Sequence, residues 1–327
     1  MTRKLRIALR DQPSARAVAC CGLRGLFALT PFAPFLVPLI LLALVLWAPD
    51  AGAISATGHV NTSGPALEVV TGFVTAPSTT FTNWTMATGN SLTIRNAALG
   101  KKINLLGAWA QNQVAGTLSV RSPKMHDNVW GIRSRITTTV MPLYPLWTPQ
   151  ILYPQDSLTV QQTGSAVGGQ IESGSLLVWY EDLPGATARF IDVPAVTKRV
   201  VNILGQETTI TAGAGGGYTG QEAVNAQFDN FIGNTDYALL GYETNVQCCT
   251  VRIQGVDTSN LGVGGPGDPA IRDVTCKWFY DLSENYGMPL IPVFNSANKQ
   301  GILVDVVQSQ AAAAVIVTWY FAQLSPA

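Results

Sequence analysis

Few residues in this chain are of types that do chemistry, and their spacing argues against most of it. Histidine occurs twice, at His59 and His126. A Ser-His-Asp or Cys-His nucleophile would need one of the two as its base. His126 stands in Lys124-Met125-His126-Asp127-Asn128, which reads as a solvated polar turn. Neither histidine has a second ligand residue at a recognisable spacing, so no metal site is expected. Cys20 and Cys21 lie near the N-terminus, and Cys248, Cys249 and Cys276 in the body. An odd count with adjacent pairs is no disulfide framework, and no Cys-x-x-Cys offers a zinc site. Neighbours on a strand point to opposite faces, so Cys248 and Cys249 read as small buried hydrophobes.

Carboxylates and glycines lead no further. Glu181-Asp182 is where a glycosidase pair would be sought. Adjacent carboxylates on a strand diverge, however, and Pro184-Gly185 follows, so the pair reads as a strand end before a turn. Gly213-Ala214-Gly215-Gly216-Gly217-Tyr218-Thr219-Gly220 lacks the Gly-Lys-Ser/Thr of a phosphate loop. Gly262-Val263-Gly264-Gly265-Pro266-Gly267-Asp268-Pro269 is not followed by a helical pattern. Both read as long mobile turns. Asn61-Thr62-Ser63 and Asn83-Trp84-Thr85 match the glycosylation sequon, which matters only in a eukaryotic secretory pathway. The expectation is a chain that is not an enzyme, with no catalytic, cofactor-binding or metal-binding residue and no cofactor.

Composition points to the elements instead. Of 327 residues, 47% are apolar and 12% charged, roughly half the usual share of charge. That excludes a disordered chain and a coiled coil. The 20 Lys+Arg and 20 Asp+Glu cancel, which argues against direct sequence-specific nucleic-acid binding. With 31 Gly and 19 Pro, and many Val, Thr and Ile, the chain reads as all-β.

Residues 1–53 stand apart. Arg3, Lys4, Arg6, Arg10, Arg16 and Arg24 precede 25 uncharged residues, Gly25 to Pro49, and Ala51-Gly52-Ala53 follows. This is a basic, hydrophobic leader, and it fits a cleaved signal peptide, a membrane anchor or an over-extended start. It holds six of the 20 Lys+Arg and two of the 20 Asp+Glu. The body, 54–327, is therefore mildly acidic.

The body repeats itself at a period of about 140 residues. Leu105-Leu106-Gly107 is echoed by Leu239-Leu240-Gly241, and Thr117 to Arg121 by Thr250 to Gln254. Met141-Pro142-Leu143-Tyr144-Pro145 matches Met288-Pro289-Leu290-Ile291-Pro292, which sets Trp147 over Phe294. Leu158 to Gln162 parallels Leu303 to Val307, and Leu176 to Leu183 parallels Ile316 to Leu324, with Trp179 over Trp319. The blocks are short, rich in β-branched and aromatic residues, and separated by turn formers. The expected fold is two tandem eight-stranded jelly-roll β-sandwiches related by internal duplication, over 54–183 and 184–327. Leu176 to Tyr180 has no polar residue, so this strand must be covered on both faces, by a neighbouring sandwich, a loop or another subunit. Val224, Phe228, Phe231 and Ile232 give one helical stripe, and Asp273 to Gly287 fits strand or helix.

Over 54–327 the duplicated sandwiches, joined at Pro184-Gly185, resemble the double jelly-roll major capsid proteins of tailless icosahedral viruses, many of which contain an internal membrane. The resemblance implies a structural virion protein forming homotrimeric, pseudo-hexagonal capsomers. Its implied partners are itself, neighbouring capsomers, minor capsid proteins and an internal virion membrane. It also implies that loops at the sandwich ends, Ala212 to Gly220 and Gly262 to Pro269, make towers or contacts between capsomers. A second reading of the residues is a secreted or surface-anchored carbohydrate-binding or adhesin-like sandwich, with Trp84, Trp130 and Trp147 as its platform.

Overall fold

Apolar runs bounded by turn formers produce 19 strands among the described residues of a computed structural model of the chain. The structure describes residues 62–125, 129, 131–136, 141–142, 148–211, 215–219, 222–224, 228–308 and 314–326. The leader, Asn61, His59, His126, Trp130 and Trp147 lie outside them. In chain order the first strands are β1 (Ser63–Thr75), β2 (Thr82–Asn83), β3 (Thr85–Met86), β4 (Ile103–Gln111) and β5 (Gly116–Arg121). Next come β6 (Ile132–Ile136), β7 (Met141–Pro142), β8 (Gln150–Leu152), β9 (Thr159–Thr163) and β10 (Ile171–Pro184). They are followed by β11 (Phe190–Ile191), β12 (Val200–Ile210), β13 (Glu222–Ala223), β14 (Asp236–Thr244) and β15 (Cys248–Gln254). The last are β16 (Val263–Gly267), β17 (Ile291–Asn295), β18 (Leu303–Val307) and β19 (Val315–Leu324). Among the described residues are three short α-helices: α1 (Val193–Arg199), α2 (Arg272–Thr275) and α3 (Trp278–Tyr286).

The strands form four antiparallel sheets. Sheet I has the order β3-β1-β10-β4-β7, with β8 also paired to β4; sheet II is β2-β9-β5-β6. Sheet III is β13-β18-β15-β16, and sheet IV is β11-β17-β14-β19-β12. The all-β sandwich expectation holds. Leu118, Val120 and Val160 of sheet II share a core with Leu105, Ala108, Leu176 and Val178 of sheet I. Val251, Ile253, Val304 and Val306 of sheet III share one with Leu239, Tyr242, Val317 and Trp319 of sheet IV.

The two halves use one connection order. The path β1-β10-β4-β8 in sheet I is matched by β12-β19-β14-β17 in sheet IV, and β2-β9-β5-β6 by β13-β18-β15-β16. The match extends to an irregularity. In sheet I, Leu105 pairs with Val178 and Gly107 with Leu177, so Leu106 bulges out of the ladder. In sheet IV, Leu239 pairs with Phe321 and Gly241 with Tyr320, so Leu240 bulges in the same way. The Leu-Leu-Gly repeat is thus a repeated β-bulge, a local feature that bends and twists its strand.

The bulge also supplies a ruler, and it corrects three of the sequence alignments. Measured from it, Leu176 and not Trp179 is the counterpart of Trp319, because Ala108 pairs with Leu176 and Tyr242 with Trp319. The counterpart of Phe294 is Leu152 rather than Trp147, since the two face Tyr237 and Ile103. In β9 and β18 the ladders align Thr159, not Leu158, with Leu303. The block order was legible because each block is a strand. The offsets were not, because runs apolar on both faces look alike when slid along the chain, and a slip of one residue changes the face.

One further expectation is overturned. Gly262 to Pro269 is no mobile turn or tower: β16 is buried along its whole length. The glycines let aromatic rings approach the backbone. A Cβ on Gly265 would lie 2.5 Å from Tyr242 Oη and 2.6 Å from Trp278 Nε1. Of the stripe at Val224, Phe228, Phe231 and Ile232, residues 225–227 lie outside the described residues, and 228–232 are not helical. Phe228 N–H donates to the Val224 carbonyl at 3.0 Å; Phe228 is buried and Ile232 is 57% exposed. Asp273 to Gly287 resolves as helix. The unforeseen α1 begins where the Asp192 side chain accepts from Ala195 N–H, with Pro194 just inside, an N-cap and proline signature present in the sequence.

Candidate functional site

The most elaborate side-chain arrangement outside the two cores lies where sheet I meets sheet III. Sheet I is buried on both faces, with apolar side chains directed to each. One face packs into the first sandwich; the other presents Leu67, Val69, Leu106, Trp109, Leu177 and Trp179 to the core of the second. Burying one such side chain contributes about 2–3 kcal/mol. This answers what covers Leu176 to Tyr180: the second sandwich of the same chain.

Polar bonds set the register of this contact. Trp109 Nε1 donates to the Cys249 carbonyl at 2.7 Å, and its ring meets Trp278 edge-on at 5.9 Å. Tyr286 Oη donates to the Leu106 carbonyl at 2.8 Å, so α3 fastens the bulge of the first copy to the second. Val69 N–H donates to the Gly262 carbonyl at 2.9 Å. Beside these runs a chain of hydroxyls: Tyr218 Oη to Thr71 Oγ1 at 2.8 Å, Thr71 to Ser175 Oγ at 2.8 Å, and Ser175 to Thr250. Thr71, Ser175 and Thr250 are fully buried.

Arg252 closes the row. Its guanidinium donates to both Asp305 oxygens, at 2.5 and 2.8 Å, and lies over the Tyr218 ring at 3.3 Å from the centroid. The Arg252 and Asp305 side chains are only 12% and 2% exposed. Burial works most strongly against the Arg252 charge, but Asp305 and the Tyr218 phenol together outweigh it and raise the guanidinium above its ordinary value. Burial pushes the Tyr218 phenol up to about 12, against the opposing pull of Arg252. Tyr218 belongs to the glycine-rich stretch read as a loop at the sandwich end. Its described part, residues 215–219, is instead a strap: Gly216 N–H donates to the Gln308 carbonyl, and Thr219 N–H to that of Val306.

A cleft of about 540 Å³ opens beside the strap, lined by Glu68, Arg95, Tyr218, Arg252, Gln254 and Asp305 among others. Its charges are already paired, since Arg95 donates to both Glu68 oxygens at 2.9 and 2.8 Å. A second ionic knot holds the linker: Arg189 donates to both Asp236 oxygens, at 2.9 and 2.6 Å. The Arg189 bonds draw the Asp236 carboxyl below the usual range. These geometries are those of fasteners.

The chemistry-bearing residues fall elsewhere. Cys248 and Cys249 are free and fully buried. Burial raises both thiols, Cys249 to about 12, so neither is an available nucleophile. Glu181 and Asp182 end β10, where Glu181 Oε2 accepts from Lys102 N–H at 3.1 Å. Among the described residues no group of three His, Cys, Asp or Glu is arranged to hold a metal ion. Trp84 is no exposed platform: it is 7% exposed, and its Nε1 donates to Gln162 at 2.8 Å. Its ring fills the space left by Gly72 and Gly174, where a Cβ would approach within 2.7 and 2.3 Å. The sequence drew no attention to the junction residues, since a lone Arg, Asp, Tyr and Thr on separate strands carry no spacing signal.

No family model and no curated protein matches the chain. Among solved structures, the PBSX exported protein XepA aligns over 78% of this chain and 86% of its own, at 10% identity and a TM-score of 0.22. The major capsid protein P2 from bacteriophage PM2 aligns over 80% of this chain and 98% of its own, at 8% identity and a TM-score of 0.18. At scores this low, neither superposition extends the role of that protein to this chain.

Proposed function

We propose that the chain is a major capsid protein of an icosahedral virus, with the two sandwiches acting as side-by-side jelly rolls. Three copies form a pseudo-hexagonal capsomer of the virion shell. One observation carries the reading: two sandwiches of the same connection order and the same β-bulge stand stacked, sheet I of one on sheet III of the other. A subunit with two equivalent lobes makes a six-lobed ring from a threefold closure, and six-lobed rings tile a sheet. The packed junction supports this role, because a shell subunit needs its lobes held at one angle. Trp109, Tyr286 and the Tyr218–Thr71 bond do that here. The reading assigns no catalysis and no cofactor. Its partners are further copies, neighbouring capsomers, minor capsid proteins and, through the leader, an internal virion membrane. The test is sedimentation of the full chain. Three copies per particle across a wide concentration range support the reading, and a stable monomer overturns it.

A further inference from the structure

The cleft beside the strap is lined by one ion pair from each sandwich, and its hydrogen-bonding groups are not used up. On the first sandwich, Arg95 gives Nε and Nη2 to the two Glu68 oxygens. On the second, Arg252 gives the same two nitrogens to the Asp305 oxygens. Arg95 Nη1 makes no hydrogen bond among the described residues, and neither do the side-chain amides of Gln254 and Asn260, which line the same space. Glu68 keeps acceptor capacity too, because an ionised carboxylate has about four acceptor sites.

Both rims of the cleft are fixed. On one side Thr71 N–H donates to the Asn90 side chain at 2.8 Å, and Asn90 N–H to the Ala87 carbonyl at 3.0 Å. On the other, Asn260 N–H donates to the Gly255 carbonyl at 2.7 Å, and Leu261 N–H to that of Thr258 at 3.0 Å. Ser259 and Asn260 are held there in the left-handed region, at φ 58 and 56, which few non-glycine residues adopt. A ligand therefore meets donors and acceptors already in place, and little ordering is left for binding to do.

We propose that this cleft binds a neutral saccharide. The two arginines and two carboxylates cancel, so a phosphate, sulfate or ammonium group finds no net charge to offset the loss of its water. The charged and amide groups give an apolar ligand few apolar contacts. A sugar hydroxyl both donates and accepts, so it can bridge Arg95 Nη1 or the Gln254 amide to a Glu68 oxygen. The volume of about 540 Å³ falls within the range of small-molecule sites, roughly 300–1,000 Å³. Arg252 covers one face of the Tyr218 ring, so the sugar is held by hydrogen bonds more than by stacking, and a single site binds weakly. Many copies on one particle would add avidity. The inference goes beyond the shell reading and does not depend on it.

The fluorescently labelled full chain on an array of neutral, sialylated and sulfated oligosaccharides tests it, with the folding of each variant checked by circular dichroism. We expect retention on neutral glycans. Gln254→Ala and Asn260→Ala should each lower it about three- to tenfold, the effect of one uncharged hydrogen bond. Asn260 is exposed, so that variant serves if Gln254→Ala does not fold. Glu68→Gln leaves the Arg95 charge uncompensated and should move the preference toward sialylated glycans. Retention of no neutral glycan, retention that the alanine variants leave intact, or an unchanged preference in Glu68→Gln overturns the site. A chain that assembles in threes yet retains no neutral glycan loses the site and keeps the shell reading; a stable monomer that retains them does the reverse.

Discussion

Replacing Arg252 by methionine should destabilise the protein more than most single changes on its surface or in its loops. Asp305 is 2% exposed and takes both of its ionic bonds from Arg252. Removing one partner of a buried pair leaves the other charge uncompensated, at a cost of about 3–5 kcal/mol. Against a total stability of about 5–15 kcal/mol, that is a large fraction. Methionine keeps apolar cover over the Tyr218 ring, so the loss reports the charge more than the packing. Pairing Arg252→Met with Asp305→Leu removes both charges, and the double variant should lie near the parent or above it, since buried pairs are often no better than apolar residues of similar size. Urea unfolding followed by tryptophan fluorescence reads both. With a slope of about 3 kcal/mol per molar urea, the single variant should unfold at least 1 M earlier. A single variant within about 1 kcal/mol of the parent, or a double variant as damaged as the single, would refute this account of the junction.

Two other changes probe separate fasteners. Gly265→Ala puts a methyl group 2.5 Å from Tyr242 Oη and 2.6 Å from Trp278 Nε1. Overpacking of this kind costs about 1–3 kcal/mol, and a melting temperature equal to the parent's would contradict the close-approach role of β16. Asp236 has its carboxyl lowered by Arg189, so it contributes stability at pH values above its unfolded value of about 3.9. That contribution disappears as pH falls through the lower folded value. Asp236→Asn should therefore melt below the parent at pH 6–7 and converge with it near pH 2; a gap constant with pH would exclude the linkage.

Much of the fold could be read from the residues because strands announce themselves by period and turn formers. The Leu-Leu-Gly echo proved to mark one β-bulge used twice, a feature whose glycine and flanking leucines are visible in the chain. What the sequence hid follows from how strands are buried. Residues 262–269 look like a flexible turn by composition, yet their glycines serve the approach of Tyr242 and Trp278, which are distant in sequence. The offsets of Trp179 and Phe294 are hidden because aromatic residues in two-faced strands resemble each other more than their positions do. The junction row of Thr71, Ser175, Tyr218, Arg252 and Asp305 was invisible, since it comes from four strands and a strap and has no spacing of its own.

The most direct measurement of the central claim is the outline of the full chain's assembly by negative-stain electron microscopy. The account predicts a six-lobed, pseudo-hexagonal particle containing three copies. Two-lobed single copies at every concentration, or particles with a number of lobes that is not six, would contradict it.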